Sequence, residues 1–174
     1  MKNDQQRVIV GVSGSIGSLH ALRRAVAEAR MRDAVLWSVL TWVPAGGELS
    51  YRRAPCAPLL QMWRDEAARR LCQAWDDALG GIPADLDARL FVLRGEPGER
   101  LVGTADREGD LLVVGAGTRG TLGRLVKPSV SSYCTRRARC GVLTVPPSPV
   151  ERELAHHPLA RRRLLRELTR PAAH

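Results

Sequence analysis

Short apolar runs alternate with amphipathic segments along most of the chain. The runs Arg7–Val12 (RVIVGV), Ala34–Trp42 (AVLWSVLTW) and Asp110–Gly115 (DLLVVG) are nearly unbroken, which is typical of strands covered on both faces of a parallel sheet. Gly141–Val145 (GVLTV) is a shorter run of the same kind. Leu86–Arg94 (LDARLFVLR) alternates between apolar and polar residues at its start, as an edge strand does. The pattern predicts five strands.

The segments between these strands are predicted to be helical. Apolar residues recur at helical spacing over Leu19–Arg32, and Ser18 is placed to cap that helix. A longer helix is predicted from the recurrence of Leu60, Trp63, Ala67, Leu71, Trp75 and Leu79, with its Trp residues in the core. Shorter helices are expected at Gly98–Glu108 and Ser129–Ala138, while Pro44–Pro58 is interpreted as a loop. Strand, helix and strand in succession imply parallel strands joined by right-handed crossovers.

The predicted fold class is therefore α/β, an open five-stranded parallel sheet with helices on both faces in a Rossmann-like arrangement. Residues 7–147 are expected to form one domain, followed by a basic C-terminal tail, 148–174, that is partly helical or disordered. No apolar run approaches the roughly 20 residues of a membrane span, and the four cysteines lack CxxC spacing. We expect a cytoplasmic protein with reduced thiols and no membrane contact.

The net charge of +9 arises entirely in the C-terminal third. Residues 1–110 carry 15 basic and 15 acidic side chains, whereas residues 111–150 carry six basic and no acidic ones. Nucleotide phosphate, a nucleic-acid backbone or an acidic partner would each suit this distribution.

A glycine-rich loop, Gly115-Ala-Gly117-Thr-Arg-Gly120, follows the fourth predicted strand and leads toward a helix that starts near Ser129. Such a loop suits an anion such as phosphate. Its spacing matches the GxGxxG dinucleotide fingerprint, but the fingerprint belongs after the first strand and is followed by an acidic residue. Here the next acidic residue is Glu151, so the context argues against a dinucleotide-dependent dehydrogenase.

The chain resembles the universal stress protein family over residues 7–146. The similarity lies in RVIVGVSGS, SLHALRRAVAEARMRDAVL, DLLVVG and SVSSYCTRRARCGVLTVP. The resemblance implies the strand order 3-2-1-4-5, related to adenine-nucleotide alpha hydrolase-like folds. It also implies ATP binding through a loop of the form G-x2-G-x9-G-[ST].

Two parts of the nucleotide motif depart from the family pattern. Without gaps, Gly115 and Ser129 match the motif, but Thr118 and Pro128 replace its second and third glycines. Ser13 stands where the family carries Asp. Pro128 has no N–H to offer a phosphate, so ATP binding is expected to be weakened, with Mg²⁺ present only if ATP is bound. The candidate nucleotide-binding residues are Val12, Ser13, Gly14, Ser15, Gly115, Gly117, Arg119, Gly120, Ser129, Val130 and Ser131.

The leading functional hypothesis is a regulatory or protective module in stress response, because no set of residues with a catalytic pattern is evident. One alternative is slow ATP hydrolysis or phosphotransfer. Another is a polyanion- or partner-binding module that does not use nucleotide; nucleic acid is weakly supported because Tyr133 is the only aromatic residue near the basic cluster. That cluster comprises Arg119, Arg124, Lys127, Arg136, Arg137 and, in the tail, Arg161–Arg163.

A homodimer is the expected assembly, since an apolar last strand would otherwise leave an open sheet edge. The resemblance implies the same pairing. The predicted dimer edge consists of Gly141, Val142, Leu143, Thr144 and Val145.

Overall fold

A computed structural model describes residues 5–116 and 129–148 of the chain. The strands are β1 (Arg7–Val12), β2 (Val35–Trp42), β3 (Ala88–Arg94), β4 (Leu111–Gly115) and β5 (Gly141–Val145). The helices are α1 (Ile16–Arg32), α2 (Gly47–Arg53), α3 (Ala57–Leu79), α4 (Pro97–Thr104) and α5 (Val130–Arg137). All strand pairs are parallel, and the sheet order is β3-β2-β1-β4-β5. The predicted fold class and strand order are confirmed.

The two faces of the sheet carry separate apolar cores. Because side chains alternate along a strand, Val8 and Val10 of β1 face one side, where they pack with buried residues of α1 and α3. Ile9 faces the other side with Leu101 of α4 and Cys134 of α5. Helices therefore cover both faces, which explains why the central strands are apolar without interruption.

The start of α1 differs from the prediction. Ser15, not Ser18, is the capping residue: its backbone is extended and its hydroxyl accepts a hydrogen bond from the Ser18 N–H. Ser18 is buried within the first turn. Ile16 opens the helix at 45% exposure, so it adds nothing to the apolar stripe that marked the helix in the sequence.

The segment Pro44–Pro58, predicted as a loop, contains the short helix α2 and the beginning of α3. No residue of α2 is buried. Glu48 instead accepts two hydrogen bonds from the Arg94 guanidinium at the end of β3, at 2.8 and 2.7 Å. Because α2 buries no apolar stripe, its sequence shows no hydrophobic periodicity from which a helix could be predicted.

Other predicted elements are confirmed with small shifts at their ends, as is usual where helices fray. The strand predicted from Leu86 begins at Ala88, and the helix predicted to reach Glu108 ends at Thr104. Trp75 is buried and donates its indole N–H to the Ser38 hydroxyl at 3.2 Å, which fits the predicted core role. Trp63 does not fit it, because its side chain is only half-buried and contacts Tyr51 of α2. All four cysteines are free.

Across residues 5–116 and 129–148, no helix has the length and apolar character needed to cross a membrane. The tail beyond Ser148 lies outside the described residues. The division at residues 147 and 148 therefore stays a prediction.

Candidate functional site

A cavity of about 460 Å³ opens at the carboxyl ends of β1 and β4. These two strands are neighbours in the sheet, but the helices that follow them pack on opposite faces, α1 after β1 and α5 after β4. Open α/β sheets bind their ligands at such a switch point, because the diverging connections leave a crevice between them.

The loop after β1 forms one wall of the cavity and is tied into a compact turn. The Ser13 N–H donates to the Ser18 hydroxyl at 3.2 Å, and that hydroxyl donates to the Ser15 carbonyl at 2.8 Å. The Ser13 and Ser15 hydroxyls lie 3.0 Å apart. Gly14, at φ 79°, makes the turn in a conformation that residues with a side chain rarely adopt. The turn thereby presents hydroxyl groups at the cavity.

The opposite wall is made by Gly115 at the end of β4 and the first turn of α5. A Cβ at Gly115 would lie 2.8 Å from the Gly17 carbonyl oxygen, so only glycine lets β4 approach α1 this closely. Ser129 caps α5 by accepting a hydrogen bond from the Ser132 N–H at 3.2 Å. The first amides of a helix have no intrahelical acceptor and carry partial positive charge, so the start of α5 can bind an anion.

The floor of the cavity is mostly apolar. The side chains of Val39, Leu101 and Val114 contribute to it, with Thr41 of β2 as a polar neighbour. Among the described lining residues none is Asp or Glu, and the one cation is Arg70. Nor do the described ranges place three or more His, Cys, Asp or Glu side chains together as a metal site.

The structure brings together seven of the eleven candidate residues, although they come from three segments of the chain. Those that line the cavity are Val12, Ser13, Ser15, Gly115, Ser129, Val130 and Ser131. Gly14 lies in the turn between two of them. Gly117, Arg119 and Gly120 lie outside the described residues, as do Thr118 and Pro128.

Arg70 is the main site residue that the sequence analysis missed. It lies on the exposed side of α3, and its guanidinium donates to the Ser13 carbonyl at 2.9 Å. A charged residue on the polar face of an amphipathic helix is ordinary, so no sequence signal marks it. Its role depends on the packing of α3 beside α1.

The basic cluster of the sequence analysis is only partly described. Arg136 and Arg137 are exposed in the last turn of α5, at the end of the helix away from the cavity. Cations there favourably oppose the helix dipole. Arg119, Arg124, Lys127 and Arg161–Arg163 fall outside the described residues.

The chain is similar in sequence and in fold to known proteins. A sequence model of the universal stress protein family matches residues 5–146. No curated protein matches the chain.

Solved structures do match the chain, and two of them are described here. A universal stress protein in complex with cAMP is 29% identical, with a TM-score of 0.54, over 83% of this chain and 98% of that chain. The universal stress protein UspA from Lactobacillus plantarum is 20% identical, with a TM-score of 0.62, over 82% of this chain and 99% of that chain.

Because UspA from Lactobacillus plantarum is only 20% identical to this chain, its similarity supports the fold alone. The family match covers most of the chain and includes both walls of the cavity and all five strands. The chain belongs to the universal stress protein family.

Proposed function

We propose that this chain is a cytoplasmic regulatory protein of the stress response, whose cavity at the β1–β4 switch point binds an adenine nucleotide. The observation that carries the proposal is the convergence of the Ser13–Ser15 turn and the start of α5 on a single cavity. Its volume of about 460 Å³ falls among those typical of small-molecule sites. One structure that resembles this chain holds cAMP.

The two kinds of lining residue suit the two parts of a nucleotide. The Ser129 and Ser131 hydroxyls, 3.1 Å apart, and the first amides of α5 would receive a phosphate. The apolar floor at Val39 and Leu101 would contact the base. Binding at this site would serve regulation rather than turnover, because the described lining residues supply no carboxylate to position a metal or a water.

Binding of ATP itself is proposed to be weak. Ser13 offers one uncharged hydroxyl at the turn, with short reach. Pro128 lacks an amide hydrogen immediately before Ser129. Relative to the family pattern, Ser13 removes a charge and Pro128 removes a hydrogen-bond donor. Mg²⁺ would enter only with a polyphosphate.

Isothermal titration with AMP, cAMP and ATP tests the proposal. The informative variant is Ser131→Glu, which puts a negative charge in the cavity beside the expected phosphate. Ser132→Glu is the matched control, since Ser132 lies in the same helical turn but is exposed and does not line the cavity. We expect Ser131→Glu to weaken binding at least about tenfold, since like charges at close range repel strongly. Ser132→Glu should stay close to wild type. Equal losses in the two variants, or no binding to wild type, would refute the site.

We also propose that the protein is a homodimer paired through β5. Val142 packs on one core and Leu143 and Val145 on the other, so β5 is a fully integrated strand. Its outer edge has no neighbouring strand among the described residues. An open apolar edge favours pairing with a second copy.

A further inference from the structure

We propose that Arg70 is a ligand-binding residue that makes the cavity selective for a nucleotide with two separate anionic groups, such as a nucleoside 3′,5′-bisphosphate. The inference rests on the proposed nucleotide site and goes beyond it by naming the class of ligand. One anionic group would bind at the start of α5, and the other at the Arg70 guanidinium.

The two binding groups lie on different sides of the cavity. Arg70 belongs to α3, which packs on the same face of the sheet as α1. Ser129–Ser131 belong to the α5 segment, and α5 packs on the opposite face. The guanidinium contacts the loop after β1, whereas α5 follows β4. The two groups therefore reach the cavity from different walls, and each is placed to meet a different anionic group of one nucleotide.

The charge of Arg70 is uncompensated within the part of the chain that the structure describes. Its guanidinium makes one hydrogen bond, to the neutral Ser13 carbonyl, and no ion pair with a described carboxylate. Its neighbour Arg69, by contrast, pairs with Glu66. A guanidinium carries five donors in a planar fork. Most of that binding capacity remains available to a phosphate that enters the cavity.

The same hydrogen bond orients Arg70. By donating to the Ser13 carbonyl, the guanidinium is held against the turn that forms the cavity wall. Ser13 brings no negative charge of its own to this wall. A carboxylate at position 13 would neutralise Arg70 and remove the attraction for a second anion.

A purely structural role for Arg70 makes a different prediction. If Arg70 only holds α3 against the β1–α1 turn, its removal would affect all nucleotides alike. If it binds a second anionic group, its removal would affect the bisphosphate selectively. The ratio of two affinities therefore separates the roles, even where a variant is less stable.

The experiment is isothermal titration at low ionic strength with AMP and adenosine 3′,5′-bisphosphate. We expect wild type to prefer the bisphosphate by about five- to tenfold, the range for one charge-assisted contact near solvent. Arg70→Gln should reduce this ratio to about one. Ser13→Asp should reduce it in the same way, whereas Arg70→Lys, which keeps the charge, should retain part of it.

Arg69→Gln is the matched control, because Arg69 precedes Arg70 on α3 but does not line the cavity. Its ratio should equal that of wild type. The inference is overturned if wild type binds AMP and the bisphosphate equally, if Arg70→Gln keeps the preference, or if Arg69→Gln loses it. If wild type binds neither nucleotide, the proposed nucleotide site fails as well.

Discussion

At the scale of single residues, Arg7 organises the amino-terminal edge of the sheet. Its guanidinium donates to both carboxylate oxygens of Asp110, at 2.9 and 2.6 Å, and also pairs with Asp106. It also lies 4.5 Å from the centre of the Trp37 ring. The hydrogen bonds to Asp110 raise the pKa of the Arg7 guanidinium above its ordinary value. The hydrogen bond from Arg7 lowers the pKa of the Asp106 carboxyl group below its ordinary value. Arg7 thus joins β1 to the segment that leads into β4.

Asp110→Asn should destabilise the protein by about 3 kcal/mol, because it leaves the buried Arg7 without its main counter-charge. Asp87→Asn is the control, since Asp87 is exposed and lies 3.8 Å from Arg89; its effect should stay within about 0.5 kcal/mol. Urea unfolding of both variants measures the difference. Equal stability of the two would show that the Arg7 network contributes little.

Cys72 and Cys134 differ sharply in their exposure to solvent. Cys134 is fully buried between α5 and the sheet, and desolvation raises its pKa to about 11. At pH 8 only about one such thiol in a thousand is a thiolate. Iodoacetamide should therefore label the exposed Cys72 rapidly and leave Cys134 unmodified in the native protein. Mass spectrometry of peptides, with a urea-unfolded sample as reference, checks this. Rapid native labelling of Cys134 would contradict the packing of α5.

At the scale of elements, the contact between α4 and α5 depends on a glycine. A Cβ on Gly98 would lie 2.6 Å from the Tyr133 ring and 3.2 Å from the Tyr133 Cβ. A change in the Tyr133 rotamer would move the ring but not the Cβ, which would still be an unusually close neighbour, so the two helices would have to shift apart slightly. Gly103, later in α4, has open space at the same position.

Gly98→Ala should destabilise the protein by about 1–3 kcal/mol through this overlap. Gly103→Ala makes the same chemical change without a clash and should raise stability by about 0.5–1 kcal/mol, because alanine favours a helix. Thermal unfolding followed by circular dichroism compares them. If Gly98→Ala also stabilises the protein, α4 and α5 are not packed this closely.

Elements were predictable from the sequence to the extent that burial formed a periodic pattern. The strands β1, β2 and β4 are buried on both faces, and α3 buries a stripe that includes Ala67, Leu71 and Trp75. No residue of α2 is buried, and the helix is attached at its surface, where Tyr51 contacts the Trp63 ring and the Arg94 guanidinium. Glu48 also pairs with Arg94, which lies far away in the chain. Such a contact leaves no local pattern, so α2 could not be predicted.

At the scale of the whole molecule, arginine–carboxylate pairs link distant segments and make stability depend on pH. Glu48, Asp85 and Asp106 accept hydrogen bonds from Arg94, Arg30 and Arg7, and each pairing lowers the pKa of the carboxyl group. In the unfolded chain the same groups titrate near pH 4. As the pH falls, the unfolded chain therefore takes up protons first.

The melting temperature should accordingly be steady near neutral pH and fall as the pH drops below about 4. Asp85→Asn should reduce this acid sensitivity, because it removes one carboxylate whose pKa is lowered on folding. Asp76→Asn is the comparison, since Asp76 forms no ion pair with another described residue. Scanning calorimetry between pH 7 and pH 3 measures the slopes. Identical slopes in wild type and Asp85→Asn would mean that the Arg30 pair does not persist in solution.

The proposed dimer makes a prediction at the outer edge of β5. The Ala116 N–H donates to the Val145 carbonyl, so the backbone of Val145 faces inward. Backbone groups of successive strand residues point to opposite edges, so those of Thr144 face the open edge.

Thr144→Pro removes an outward N–H and should convert the dimer to a monomer, while Thr144→Val keeps the N–H and should remain dimeric. Light scattering after size-exclusion chromatography, across a dilution series, gives the masses. A wild-type monomer at all concentrations, or a dimer in both variants, would refute pairing through this edge.

The sequence by itself determined the class of fold. Strands buried on both faces appear as continuous apolar runs, and helices buried on one face show apolar residues at helical spacing. Together with the family resemblance, the sequence also predicted that the turn at Ser13–Ser15 and the start of α5 belong to one nucleotide site, and the structure brings both to one cavity. Only the tertiary structure decided what else reaches that cavity. Arg70 and Thr41 also line the cavity, although the sequence around them contains no motif that predicts it. Their positions depend on how segments distant in the chain pack together. Periodicity records which face of an element is buried, whereas the neighbours that meet at a site are set by how the elements pack.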